Sequence, residues 1–307
     1  MKRLQNRVSQ SRWALPVTTV YALVVCLAGG LVTEGLWLQL ALLLVSTMMM
    51  VELNNHYSLI RIFSRMVSCP FMVLTAMAVF LFKSQDVCLV QLSVIAFLLL
   101  VLRAYQAPSA TGWVFYAFCA LGVGSAVFPQ LLLFVPLLWI LMAVYVQCFN
   151  ARTLVASLLG LLVPYWFVAA WFLYVGDFSY LGAHLLSVFR FDFPFGISVI
   201  DIPRMLMFVF VLVLAFIGSV HFVMFSYQDR IRIRMHYEMF MVLDAACLLF
   251  AIVQPRHFDM LLGMAIVFTS PLIGHFLALS HSRASNMTFL LLVVATLAIT
   301  SFNLLAC

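Results

Sequence analysis

The sequence predicts an all-α protein, a polytopic bundle of about eleven transmembrane helices with its N-terminus in the cytoplasm. Composition is the first reason. Of the 307 residues, 66% are hydrophobic and only 8% are charged, whereas a soluble domain is about 45–50% apolar and about 25% charged. A lipid bilayer accommodates this much apolar surface, and water does not. Because no stretch has the mixed composition of a soluble domain, we expect residues 1–307 to form a single transmembrane helical domain.

Segment length is the second reason. A transmembrane helix needs roughly 20 apolar residues, with a range of about 17–25, and charged residues divide the chain into runs of that length. The charge-free stretch from Ala104 to Ala151 is long enough for two helices, and Pro129 is the natural break because proline interrupts a helix. It stays open whether 87–103 and 112–128 both cross the membrane. The predicted segments are 13–33, 36–52, 67–83, 87–103, 112–128, 130–148, 153–175, 204–227, 237–254, 259–280 and 286–305.

The distribution of basic residues is the third reason, because cytoplasmic loops of membrane proteins are enriched in Lys and Arg. With an inside N-terminus and eleven alternating helices, most of the 16 basic residues fall on the inside. The inside set is Lys2, Arg3, Arg7, Arg12, Arg61, Arg65, Arg103, Arg152, Arg230, Arg232, Arg234 and Arg283. The outside set is Lys83, Arg190, Arg204 and Arg256. This asymmetry predicts an inside N-terminus and an outside C-terminus; an even number of spans with a re-entrant last helix is the alternative.

Several functional classes are disfavoured. The net charge of +6 does not indicate nucleic-acid binding, because the basic residues are scattered in short loops and not clustered on one exposed face. The seven cysteines include no CxxC pair, so we predict neither a zinc site nor a disulfide framework. No phosphate-binding, dinucleotide-binding or nucleophile-elbow motif is present, and we predict no cofactor. The first outside loop holds the single acid Glu34, which disfavours glycosyltransferases that use lipid-linked sugars.

Residues 176–203 form the longest predicted non-helical segment and lie on the outside in this topology. Four phenylalanines occupy every second position from Phe189 to Phe195, so an extended strand would place all four rings on one side. The pattern is typical of an aromatic anchor in the headgroup region. It is also compatible with a substrate or partner contact on the outer face. Candidate residues for such a contact are Asp177, His184, Arg190, Asp192 and Asp201.

Three ionisable residues lie inside predicted helices, where charged side chains are costly and are functional candidates. At 1.5 Å per residue from the nearest flanking arginine, Asp244 lies about 15 Å, His221 about 13 Å and His275 about 12 Å from the inner edge of the membrane. We therefore expect the three residues at similar depth on three successive antiparallel helices. Their side chains would face one another only if the helices are also rotated suitably.

Three interpretations of this polar layer stay open. In the first, each side chain forms an ordinary hydrogen bond between helices, which is worth about 0.6–2 kcal/mol. In the second, a desolvated carboxylate and the imidazoles exchange protons as a relay. In the third, two histidines and one aspartate bind zinc. The sequence has no HExxH or similar local spacing, and we predict no metal.

Two segments resemble an uncharacterised protein family. Residues 152–176 read RTLVASLLGLLVPYWFVAAWFLYVG, and residues 256–280 read RHFDMLLGMAIVFTSPLIGHFLALS. The basic turn, the Gly-Leu-Leu-x-Pro-Tyr run and the later helix with a central proline before a histidine resemble a domain-of-unknown-function family of multi-pass inner-membrane proteins from Bacteroidota. The resemblance implies a bacterial inner membrane and a bundle of about ten helices. It implies no activity and no catalytic residues.

Two functional hypotheses follow from these observations. The first is a transporter-like carrier or an assembly factor for an envelope complex, with membrane lipid and other envelope membrane proteins as partners. The alternative is a membrane-embedded enzyme acting on a lipid or lipid-linked substrate beneath residues 176–203. A carrier predicts a polar cavity at the level of Asp244. An enzyme predicts convergent Asp, His and Arg side chains under the outer segment, and a scaffold predicts a packed bundle with neither feature.

Overall fold

The computed structural model describes residues 4–107, 109–175, 182, 186–189 and 201–306. All regular secondary structure in these ranges is helical, which confirms the all-α fold class. The helices are α1 Leu4–Ser9, α2 Ala14–Ala28, α3 Trp37–Tyr57, α4 Ser68–Met77, α5 Val79–Lys83, α6 Gln85–Val101, α7 Thr111–Val127, α8 Val135–Leu141, α9 Ala151–Val175, α10 Ile202–Phe225, α11 Ile231–Val253, α12 Phe258–Leu279 and α13 Arg283–Ala306.

Eight helical segments within the described ranges are long and apolar enough to cross a membrane. The chain is therefore a multi-pass integral membrane protein. The helices α2, α4 and α7 are apolar but shorter. Each of the eleven predicted apolar segments overlaps a helix, whereas the number that cross and the side of each terminus stay predictions. The eight long segments are Trp37–Tyr57, Gln85–Ala104, Pro129–Val146, Ala151–Tyr174, Ile202–Gln228, Ile231–Val253, Pro255–Leu279 and Arg283–Ala306.

The contacts divide the chain into two compact units. The first unit comprises Met1–Cys88 and Phe195–Cys307, and the second comprises Leu89–Pro194. The prediction of a single transmembrane domain stays a prediction.

Helix α12 is the central helix of the first unit. About 94% of its apolar span is buried, compared with 22% for α13, and it packs against α1, α4, α10 and α11. The end of α12 is closed by α1: the Gln5 side-chain amide donates to the carbonyl of Leu277 at 3.0 Å and to the hydroxyl of Ser280 at 2.8 Å. The last carbonyls of a helix have no partner within it, so Gln5 satisfies a group that burial would otherwise leave without a hydrogen bond.

The second unit is built on the packing of α7 against α9. In the sequence, a segment of mixed helical type connects α7 to α9. A 3₁₀ turn at Pro129–Phe134 leads into α8, and a π turn at Met142–Val146 follows α8. The predicted break at Pro129 is confirmed, because α7 ends at Val127. The segment as a whole retains the length of a membrane span.

Candidate functional site

Three buried ionisable side chains of the first unit form a continuous hydrogen-bonded chain. His275 Nε2 lies 2.9 Å from the Asp229 carboxylate, and His275 Nδ1 lies 3.3 Å from His221 Nδ1. The side chains of His275 and Asp229 are only 1% and 2% exposed. We call Asp229, His275 and His221 the inner polar chain, since it lies where α10 and α12 end, the cytoplasmic end in the predicted orientation.

Close packing of two helices brings the imidazoles together. A methyl group added at Gly218 of α10 would lie 2.6 Å from the backbone of Leu272 in α12, so only glycine permits this approach. His221 follows Gly218 by three residues, about one helical turn, and His275 follows Leu272 by the same interval. The two rings therefore meet one turn beyond the point of closest approach.

The end of α10 supplies the carboxylate. The α-helix stops at Phe225 and continues as a 3₁₀ turn over Ser226–Gln228. The backbone N–H of Asp229 donates to the carbonyl of Ser226 at 3.0 Å. Asp229 follows this turn, and its carboxylate lies within hydrogen-bond distance of His275.

Aromatic rings enclose His275. The rings of Phe222 and Tyr237 lie 5.4 Å and 4.9 Å from its imidazole, and they stack on each other at 4.9 Å. Tyr237 is fully buried, and its hydroxyl has no hydrogen-bond partner among the described residues. The enclosure shields the hydrogen bond between His275 and Asp229 from solvent, which strengthens it.

With an ionised Asp229 and two neutral imidazoles, the hydrogen bonds have one consistent set of proton positions. An ionised Asp229 only accepts, so His275 donates through Nε2–H, and a neutral His275 then accepts at Nδ1. His221 must therefore donate through Nδ1–H, which leaves a lone pair on its Nε2. That nitrogen bonds to no described residue, and the ring lines a cavity. The inner polar chain thus begins at a carboxylate and ends at a proton acceptor, and all three residues border the same cavity.

The cavity has a volume of about 560 Å³ and lies at the same end of the first unit. Its walls come from the ends of α10 and α12, the start of α13 and the loop that carries Arg61. Arg61 donates to the side-chain oxygen of Gln228 at 2.7 Å and forms no ion pair with any described residue. Polar side chains in the lining are Arg61, His221, Gln228, Asp229, His275, Ser280, His281, Ser282, Ser285 and Thr288.

Asp244 lies apart from the inner polar chain. Its carboxylate accepts hydrogen bonds of 3.0 Å and 3.2 Å from the hydroxyl of Thr269, and the residue is 2% exposed. Thr269 lies six residues before His275 on α12, about 9 Å along the helix axis. The structure therefore brings together two of the three predicted residues and places the third in a separate, closed pair.

The equal depth in the membrane predicted for the three residues stays a prediction, but their positions along their helices differ. His221 and His275 each lie four residues before the end of their helix, which is about 6 Å. Asp244 lies thirteen residues after the start of α11 at Ile231, which is about 20 Å. The prediction measured depth from arginines, but α11 already includes Arg234, whereas α10 and α12 end several residues before the next arginine.

Of the outer candidates, the structure describes Asp201 alone. It precedes α10 and pairs with Arg204, whose guanidinium also donates to both oxygens of Asp259 at 2.8 Å and 3.0 Å. This network ties the start of α10 to the start of α12 and has a structural explanation. The other candidates, Asp177, His184, Arg190 and Asp192, lie outside the described residues.

Sequence reasoning missed Asp229 and Arg61. Asp229 directly precedes Arg230 in a short loop, a position typical of a solvated charge, and only its contact with His275 shows that the side chain is buried. Arg61 is separated from the rest of the site by more than 150 residues of sequence, as its bond to Gln228 indicates. No local signal could have revealed either contact.

The inner polar chain uses both nitrogens of His275 for protein contacts, and no group of three or more His, Cys, Asp and Glu in the described part of the chain is arranged to hold a metal ion. Comparison with protein-family models, curated proteins and solved structures finds no match. The class that the fold defines is therefore a multi-pass integral membrane protein, and the site must be interpreted from its own geometry.

Proposed function

We propose that this membrane protein is a carrier of the bacterial inner membrane in which the inner polar chain exchanges protons. The observation that carries the proposal is the hydrogen-bonded series Asp229–His275–His221, whose three side chains are buried and all border one cavity. Ionisable groups at membrane depth are costly and commonly mark ion or proton pathways. Here the cost is offset because the carboxylate and both imidazoles are joined by hydrogen bonds.

The chain is suited to accepting one proton from the cavity. A proton that binds at His221 Nε2 neutralises the net charge of the series, since Asp229 carries the only negative charge. The bonded protons can then shift toward Asp229 without any new contact, because each donor already has its acceptor within 3.3 Å. Imidazole can bind or release a proton at either ring nitrogen, so a proton that enters from the cavity can pass along the series.

The cavity supports a carrier rather than an assembly factor. A scaffold needs only packed surfaces, and a polar cavity of about 560 Å³ serves no packing purpose. Ligand sites in proteins are typically cavities of about 300–1,000 Å³ with a few convergent polar groups. Its position at the inner end differs from the cavity at the level of Asp244 that the sequence predicted.

A proline in α12 gives the site a point of flexure. Pro271 lies between Thr269 and His275 and has no N–H to donate to the carbonyl of Val267 one turn earlier. The segment that carries His275 is therefore joined to the rest of α12 by one backbone hydrogen bond fewer. Such positions are where transmembrane helices bend, and a carrier needs an element that can change shape.

The charge distribution and the family resemblance support the location. Most basic residues fall on one side of the predicted topology, which is the pattern of cytoplasmic loops. The resemblance to inner-membrane proteins of Bacteroidota adds the bacterial origin. In this proposal the cavity opens on the cytoplasmic side, which the charge distribution and the resemblance support.

A membrane-embedded enzyme acting on a lipid is the second candidate, and one observation favours it. The free lone pair of His221, oriented by His275 and Asp229, has the form of a general base directed to a substrate hydroxyl. In that case the site would lie at the inner end, in contrast to the predicted location beneath residues 176–203.

Proton binding can be tested before any substrate is known. Proteoliposomes adsorbed to a solid-supported membrane are acidified rapidly from about pH 7.5 to about pH 4, a range that also covers imidazoles whose charged form is disfavoured by burial. We expect a transient charge displacement from the wild-type protein, because protons enter a buried site. The Asp229→Asn and His275→Gln proteins should give less than about one fifth of it, since each breaks the series.

Two matched variants serve as controls. Asp244→Asn removes an equally buried carboxylate from the closed pair, and His56→Gln removes an exposed imidazole; both should retain the wild-type displacement. A wild-type protein without displacement would contradict the proposal, as would an equal loss in the control variants. Thin-layer chromatography of the same liposomes tests the enzyme hypothesis. An enzyme would form a new lipid product, and the His221→Ala protein would not form it.

A further inference from the structure

We infer that helix α1 is a releasable latch that keeps the cavity narrow, and that its release lets the end of α12 bend at Pro271 and widens the cavity. This inference rests on the proposed function, because it assigns a regulation to the same site. The latch is the set of hydrogen bonds by which α1 holds together three of the elements that line the cavity.

One residue of α1 joins the end of α12 to the start of α13. The side-chain amide of Gln5 donates to the carbonyl of Leu277 at 3.0 Å and to the hydroxyl of Ser280 at 2.8 Å. The backbone N–H of Gln5 donates to the side-chain oxygen of Asn286 at 3.2 Å, in the first turn of α13. Because the end of α12 and the start of α13 both line the cavity, Gln5 fixes the distance between two of its walls.

The loop between α3 and α4 also lines the cavity, and α1 holds this loop as well. The hydroxyl of Ser64 in the loop donates to the carbonyl of Ser9 at 2.8 Å. The same loop packs tightly on α12, since a methyl group added at Gly274 would overlap the backbone of Met66. Gly274 directly precedes His275, so the position of α1 is transmitted to the inner polar chain through the loop as well as through Gln5.

The face by which α1 docks is polar. Gln5 and Ser9 are 2% and 1% exposed, and their spacing of four residues places them on the same face of the helix. The apolar side chain of Leu4, in contrast, is 51% exposed. The net gain of a hydrogen bond is small where water can replace the partner. A helix that docks through such bonds separates at a lower cost than one that docks through apolar side chains.

Helix α12 has a point at which its end can move. Pro271 has no N–H for the carbonyl of Val267, so the segment that carries His275 is joined to the rest of α12 by one bond fewer. From the other side this segment is held by Gln5, which satisfies carbonyls that have no partner within the helix. When α1 separates, the segment loses that support, and the bend occurs at the proline.

The reactivity of an introduced cysteine measures the release. Ser285 lines the cavity and is 4% exposed, so Ser285→Cys in the full chain, reconstituted in lipid nanodiscs, should react slowly with a charged maleimide. Gln5→Met keeps the length of the side chain but removes its donors. It should raise the labelling rate about fivefold, the effect of roughly one net hydrogen bond. The labelling of the native cysteines is measured in the protein without Ser285→Cys and subtracted.

A second reporter and a second glutamine serve as controls. Ser157→Cys reports on another buried serine, in the second unit, and Gln5→Met should leave its labelling unchanged. Gln39→Met removes an amide that donates to the carbonyl of Lys83 at the start of α3, and it should not change the labelling of Ser285→Cys. An equal increase at both reporters would indicate general loosening and would overturn the inference, as would an unchanged rate at Ser285→Cys.

Two further variants separate the latch from the bend. Asn286→Ala removes the acceptor of the Gln5 backbone N–H, should raise the rate about threefold, and replaces Gln5→Met if that protein does not fold. Pro271→Ala restores the backbone N–H that can donate to Val267. Combined with Gln5→Met, it should return the rate to within about twofold of the wild-type value. A rate that stays high in this double variant would refute bending at Pro271.

Failure of the latch is distinguishable from failure of the proposed function, because labelling requires no proton exchange. A wild-type protein that gives the charge displacement on acidification, but whose Ser285→Cys labelling does not respond to Gln5→Met, would refute the latch alone. Labelling that rises as expected, in a protein that gives no charge displacement, would refute the proton exchange alone.

Discussion

Two helix pairs pack closely through a glycine: α10 with α12 in the first unit, and α7 with α9 in the second. Only the first pair carries the candidate site. In each pair a glycine lets two backbones touch. A methyl group at Gly218 would meet the backbone of Leu272, and one at Gly160 would meet the backbone of Phe115 and Cys119. Helix association in a membrane depends on such close contact, because apolar surface gains little by leaving lipid.

The surroundings of the two contacts differ. Beside Gly218 the close approach brings together two imidazoles, and a cavity borders them. Beside Gly160 the nearby polar contacts are neutral, such as the Tyr165 hydroxyl that donates to the carbonyl of Ser125 at 3.1 Å. Close packing alone therefore does not define a site. The first contact becomes one because ionisable residues lie one turn beyond the glycine.

The largest expected effect is at the contact without ionisable residues. Gly160→Val should destabilise the protein by about 3 kcal/mol, because the added side chain overlaps backbone that cannot move aside without separating the helices. Gly112→Val is the control, since a side chain there meets nothing within 4 Å, and it should change stability by less than about 1 kcal/mol. Unfolding in mixed micelles followed by circular dichroism measures both. Equal losses would show that α7 and α9 do not depend on this contact.

Disrupting the glycine contact in the first unit should cause a smaller loss of stability and should also affect proton exchange. Gly218→Val should cost about 2 kcal/mol, because the added side chain pushes α10 away from α12 at Leu272. It should also abolish the charge displacement on acidification, since the His221–His275 hydrogen bond lengthens. Ser219→Ala, at the adjacent and less buried position, should retain both properties. A Gly218→Val protein with a normal charge displacement would show that proton exchange does not depend on the close packing of α10 against α12.

Sequence reasoning captured the fold where the physics is local. Apolar run lengths and flanking charges are properties of single segments, so each predicted segment overlaps a helix. Pro129 likewise ends α7 through its own backbone geometry. The helical boundaries near the arginines were less predictable, because α11 begins at Ile231 and includes Arg232 and Arg234.

The candidate site was predictable only in part. His221 and His275 could be selected because imidazoles inside apolar runs are rare and costly. Their contact depends on Gly218 and on the rotation of two helices, which composition does not determine. Asp229 depends on a 3₁₀ turn at the end of α10, and a charge next to Arg230 resembles any solvated loop residue. Side-chain partners distant in sequence required the three-dimensional structure.

The smallest effects concern single buried hydrogen bonds in the two units. In the second unit the Trp139 indole N–H donates to the hydroxyl of Ser157 at 3.0 Å, and in the first the Thr269 hydroxyl donates to Asp244 at 3.0 Å. Ser157→Ala should cost about 0.6 kcal/mol, the average for a neutral contact between membrane helices. Thr269→Val keeps the shape of the side chain but leaves a buried carboxyl without its donor, so it should cost about 1–2 kcal/mol.

The ratio of these two losses decides whether Asp244 carries a charge in the folded protein. A protonated carboxyl is a neutral group and would make Thr269→Val no more costly than Ser157→Ala. An ionised carboxyl would make it distinctly more costly, and Asp244→Asn would then remove most of the difference in a double-mutant cycle with Thr269→Val. Unfolding in mixed micelles measures all four proteins. If Asp244 is neutral while Asp229 is charged, the closed pair of Asp244 and Thr269 is structural. Proton exchange is then confined to the inner end of α10 and α12.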